Sequence, residues 1–134
     1  MSRKNSRPRW WQRQEGAVAV EFALIITLLV MIFGAVIDFG HYLYLKNLAN
    51  NASREGARMG IVYNNRPSAT QIQSYIQQKY GAYLTVQVTN AGGASGSDLT
   101  VRVSCPKQWF FLGPLVGSSP ELLNPSGTTV MRLE

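Results

Sequence analysis

The chain has one histidine and one cysteine in 134 residues, and seven acidic residues against thirteen Lys and Arg. With His41 alone, histidine-based metal sites of the usual spacing are excluded. A Ser-His-Asp relay would have to use that same residue, far along the chain from the C-terminal half. With Cys105 alone, no intrachain disulfide can form, which leaves an intermolecular bond or a buried, unreactive thiol at the end of a strand; the second is the simpler reading. The triplet Asp38-Phe39-Gly40 lacks the glycine-rich and catalytic loops that give the same letters meaning in a kinase. No Lys-Ser or Lys-Thr follows the glycines of Asn90 to Ser97, so they do not make a phosphate loop. Asn51-Ala52-Ser53 matches a glycosylation sequon but falls within a helical pattern. The expectation is a protein that is not an enzyme and has no cofactor and no metal.

What the chain does have is a long apolar run, Ala17 to Ile37, whose one charge is Glu21. A bilayer-crossing helix needs about 20 mainly apolar residues, and a carboxylate within one costs about 2.5 to 3.5 kcal/mol on insertion scales. Lying one turn in, Glu21 either reaches the headgroups or meets a partner. Five bases (Arg3, Lys4, Arg7, Arg9, Arg13) and one acid, Glu15, precede the run; without them the net charge falls from +6 to +2. The basic character is therefore a topology signal that places the N-terminus in the cytoplasm and the C-terminal part across the membrane. No nucleic-acid partner follows, and Trp10 and Trp11 read as interfacial anchors. A cleaved secretory signal fits poorly: the run is longer than an h-region of about 7 to 15 residues, and no small-residue cleavage site followed by a polar start closes it.

Helical periodicity continues past the span through Leu45, Leu48, Ala49, Ala52, Gly56 and Met59. One helix over 17–62 would be about 70 Å long, more than twice the hydrocarbon thickness of about 30 Å. Its small-residue stripe suits close packing, first of all against the chain's own C-terminal part. Asn64, Asn65 and Pro67 break the pattern. Ser68 with Gln71 then predicts a capping box for a short helix with Ile72, Tyr75, Ile76 and Tyr80 on its apolar face, closing at Gly81. Alternation at Leu84, Val86 and Val88, and again at Leu99, Val101 and Val103, predicts two strands joined by a flexible glycine-rich hairpin. Pro106 to Gly127 reads as an irregular stretch folded over the sheet, and Thr128 to Leu133 as a third strand. The fold class is α+β: a basic leader over 1–16, a long N-terminal helix over 17–62 with the membrane span at about 17–40, and a small exported domain over 63–134 with one short helix and a three-stranded antiparallel sheet.

Three blocks then stand in register: Gly16, four small residues and Glu21-Phe22-Ala23-Leu24; Asp38-Phe39-Gly40 with Tyr44; and Ala52-Ser53-Arg54-Glu55-Gly56-Ala57-Arg58. Over about residues 14–60 this resembles the TadE-like domain of minor pseudopilins in the tight-adherence (Flp) pilus system. The resemblance implies cleavage between Gly16 and Ala17 by a prepilin peptidase, and assembly through Glu21 and Phe22, with Glu21 neutralising the new amine of a neighbouring subunit. It also implies a pilus assembly platform and other pilins or pseudopilins as partners, and a single-pass location in the bacterial inner membrane. Asp38 reads as a solvated residue at the end of the span or as a helix contact. Glu55 with Arg58, three residues on, reads as a local helix pair, or with Arg54 as a contact to the exported domain or a neighbour. Two other classes remain open: an uncleaved signal-anchored envelope binding protein, and a secreted protein released by signal peptidase.

Overall fold

The computed structural model describes residues 9–61, 66–117 and 124–133. The first half of the leader and the Asn64-Asn65 break lie outside them. The dominant element is α1 (Arg9–Gly60), a helix of 52 residues, about 78 Å long at 1.5 Å per residue. It starts eight residues earlier than the apolar pattern predicts. Between Arg9 and Gly16 the sequence holds no helix-breaking proline, so the helix extends back through Gly16 and Ala17 without interruption.

The second helix, α2 (Ala69–Tyr80), starts on the capping box read from the sequence. The Ser68 hydroxyl accepts from the Gln71 amide and the Gln71 side chain accepts from the Ser68 amide, satisfying two donors left free by the first turn. Ile72 and Ile76 are buried. The helix ends at Gly81, whose φ of 125° favours a residue without Cβ. Gln73 and Gln77 donate to the carbonyls of Val86 and Leu84, which ties α2 to the strand that follows.

Strands β1 (Thr85–Thr89), β2 (Asp98–Ser104) and β3 (Ser126–Arg132) form an antiparallel sheet in the order β1-β2-β3. Val86 stands opposite Val103, and Val101 opposite Thr129. The period of two sends Val86, Leu99, Val101 and Val103 to the inner face, while Thr85, Gln87 and Arg102 face outward. The hairpin loop is tied down: Gly96 donates to Leu133, Leu133 donates to Ser97, and Asn90 Nδ2 donates to Asp98. Within the stretch read as irregular lies a single helical turn, α3 (Gly113–Val116), opened by Pro114.

Helices α1 and α2 cover the inner face of the sheet. The core joins Leu45, Ala49, Ala52 and Ala57 of α1, Ile72 and Ile76 of α2, and the inner valines and leucines of the strands. Cys105 is buried in it, its thiol 3.6 Å from the Leu45 carbonyl, and burial raises its pKa. The stripe of small residues on α1 is filled by the sheet. A Cβ on Gly127 would lie 2.6 Å from the Ala49 backbone, one on Gly56 would meet Ile76, and one on Gly60 would meet Leu99. Ser53 and Thr129 share a 2.8 Å hydrogen bond, and Lys46 donates to the Ser126 carbonyl.

Candidate functional site

Three carboxylates of helix α1, those of Glu21, Asp38 and Glu55, stand in three settings. Glu21 is exposed among exposed apolar side chains: Val18, Val20, Phe22 and Leu24 are each more than 60% accessible. Among the described residues its carboxylate has neither a hydrogen bond nor an ion pair. Gly16 and Ala17 lie one turn earlier, exposed on the same continuous helix. Exposure continues through Ile37 and Phe39, so from Val18 onward this part of the helix is long and apolar enough to cross a bilayer.

Asp38 is fully buried, not the solvated residue that its place at the end of the span suggested. Three consecutive amides of the segment before α3 converge on its carboxylate: Phe110 N donates to Oδ1 at 3.1 Å, and Phe111 N and Leu112 N donate to Oδ2 at 2.9 Å. Lys107, equally buried, places Nζ 3.3 Å from Oδ1. Its ammonium also donates to the Gln108 carbonyl and stands 4.2 Å from the centre of the Trp109 ring. A buried carboxylate is tolerated when its oxygens are paired and hydrogen-bonded, and successive amides turned to one point make a concave anion site. Rings complete the joint: Trp109 stacks on Tyr42, Phe110 leans on His41, and Phe111 lies against Gly34, where a Cβ would collide with it.

Glu55 is held by α2. Oε1 accepts from Tyr75 OH at 2.8 Å and from Lys79 Nζ, and Oε2 accepts from Tyr80 OH at 2.5 Å. The Lys79 bond, followed by the tyrosine bonds, lowers the Glu55 pKa from 4.5 to about 2, and the same contact raises that of Lys79. Its salt-bridge partner is thus Lys79, twenty-four residues away, and not Arg58 in the same helix. Arg54 and Arg58 are exposed and border an open groove of about 800 Å³ with Met59, Tyr75 and Met131.

From Gly16 on, α1 is thus an apolar helix that carries the unpartnered Glu21 near its start and continues unbroken into a stripe packed on a small sheet. Residues 16–58 match the family model for TadE-like protein. Over that segment the chain is similar to TadE-like proteins. The TadE-like segment contains Glu21, Asp38 and Glu55 and ends two residues before α1 does. No curated protein and no solved structure gives a significant match. The partners of Asp38 and Glu55 lie in the C-terminal part, beyond the TadE-like segment.

Sequence reasoning identified Asp38 and Glu55 but missed Lys107, Tyr75, Tyr80 and Lys79 as their partners. A lone lysine just before the Trp109-Phe110-Phe111 cluster was the available signal for Lys107, since a cation beside such apolar side chains needs an anion.

Proposed function

We propose that the protein is a TadE-like minor pseudopilin, a non-enzymatic, membrane-anchored component of tight-adherence (Flp) pilus assembly or a related secretion apparatus. The observation that carries this reading is the TadE-like match beginning at Gly16, together with Glu21 exposed and unpartnered on an otherwise apolar helix surface. A prepilin peptidase cuts between Gly16 and Ala17 on the cytoplasmic face. The amine released at Ala17 lies about one turn from Glu21 along a helix of 3.6 residues per turn. In low-dielectric surroundings an unpaired charge is costly, so the Glu21 carboxylate of one subunit takes the amine of the next and sets their axial register. The C-terminal domain lies on the exported side and primes or stabilises the assembly of pilins on their platform.

The N-terminus of the membrane-extracted protein, determined by mass spectrometry with and without the prepilin peptidase, tests the reading. The expected mature chain begins at Ala17 only when the peptidase is present. A leader retained in both strains overturns processing and leaves an anchored domain. Glu21→Gln is expected to insert normally and to lose incorporation into the assembly.

A further inference from the structure

The segment that Asp38 holds lies alongside the apolar helix at a level where hydrocarbon is expected. At 1.5 Å per residue, a hydrocarbon layer of about 30 Å takes about 20 residues, which from Ala17 reaches Val36. Phe111 packs on Gly34, inside that limit. Phe110 and Phe111 are 65% and 51% exposed, beside the exposed Phe33 and Ile37 of the helix. The rings of Tyr42 and Trp109, 6.2 Å apart, sit one to two turns further out, where amphipathic aromatics collect at a membrane interface.

We infer that the loop around Phe110 and Phe111 enters the leaflet on the domain's side of the membrane and places both rings against lipid chains. Irregular backbone enters hydrocarbon only when its polar groups are satisfied by protein. The Asp38 carboxylate does this for the three consecutive amides of Phe110, Phe111 and Leu112. Gln108 to Gly117 carries no charge, and the Lys107 ammonium just before it is neutralised by the same carboxylate. Lipid is the occupant that fits, because the rings continue a helix surface already apolar enough to span the bilayer. The inference rests on that helix being a membrane span, and the test separates the two.

Nitroxide labels are introduced singly into the full chain on a Cys105→Ala background, through Phe110→Cys, Val30→Cys and Gln87→Cys. The protein is reconstituted in phosphatidylethanolamine–phosphatidylglycerol vesicles, and collisions with oxygen and with a water-soluble nickel chelate are measured. The expected result is an oxygen-to-nickel ratio at 110 shifted towards that at Val30 and away from that at Gln87. Nickel access at 110 with lipid access at Val30 overturns the loop insertion alone; nickel access at Val30 overturns the span itself. Exclusion of both reagents at 110 means that protein covers the rings and also overturns the inference. Adding Asp38→Asn to the 110 label is expected to shift 110 towards water while the Gln87 label is unchanged. A 110 label that stays in lipid in that variant removes the carboxylate from the explanation.

Discussion

Helix α1 is two surfaces on one backbone. From Val18 to Phe39 it shows large exposed side chains, with Phe22, Leu24 and Phe33 each more than 60% exposed, except where the loop before α3 covers Gly34 and Asp38. From Leu45 to Gly60 its packed face is built of Ala49, Ala52, Ser53, Gly56, Ala57 and Gly60, and the sheet and α2 fill the space those residues leave. Bulk is placed where no other part of the chain packs on the helix, and smallness where a strand backbone comes to within touching distance. Two carboxylates follow the same division, Glu21 being unpartnered in the first region and Glu55 having three donors in the second, while Asp38, near the boundary, is held by the loop before α3.

Matched substitutions on the two sides sharpen this contrast. The largest effect is expected from Leu99→Ala, which opens space between β2, Gly60 and Ile72 and should lower the unfolding free energy of the C-terminal domain by about 3 kcal/mol. Leu28→Ala in the exposed region should leave it unchanged. Chemical denaturation of the detergent-solubilised chain, followed by tyrosine fluorescence, compares them; equal losses would erase the distinction. Next comes Gly127→Ala, whose Cβ would strike the Ala49 backbone and force β3 away from α1, at about 2 kcal/mol. Its counterpart Gly40→Ala meets nothing within 4 Å and should instead stabilise the helix by up to about 1 kcal/mol. Thermal melts read the opposite signs.

The smallest effect is that of pH on Glu55. Its pKa falls from 4.5 to about 2 on folding, so its stabilising contribution is complete above about 4.5 and is lost as pH falls from there towards 2. Glu55→Gln should remove this part of the acid sensitivity. Melting temperatures of the two chains that fall in parallel on acidification would show that Glu55 is not responsible.

The parts legible in the sequence are those set by neighbours along the chain. Ser68 and Gln71 are three residues apart and cap α2, and alternating valines fix which face of β1 and β2 turns inward. The three-stranded sheet and the long apolar helix followed from the same local patterns. What was not legible depends on residues far apart. An aspartate at the end of an apolar run has the same sequence signature whether water or a loop 72 to 74 residues later satisfies it. Glu55 and Arg58 have the spacing of a helix pair, but Lys79, Tyr75 and Tyr80 reach the carboxylate from α2. The early start of α1 and the α3 turn carry no apolar period, so hydrophobic patterning passed over both.

The packing of β3 on α1 also bears on the order in which the molecule is made. The helix is synthesised first, yet Ala49, Ser53 and Lys46 find their contacts on Ser126, Gly127 and Thr129, some eighty residues later. Local contacts form early, and those that close long loops come late. The stretch of α1 around Ala49 and Ser53 therefore stays uncovered in the nascent chain until β3 has been made. During that interval the stretch is open to a chaperone or to another helix, and arrival of the last strand ends the competition.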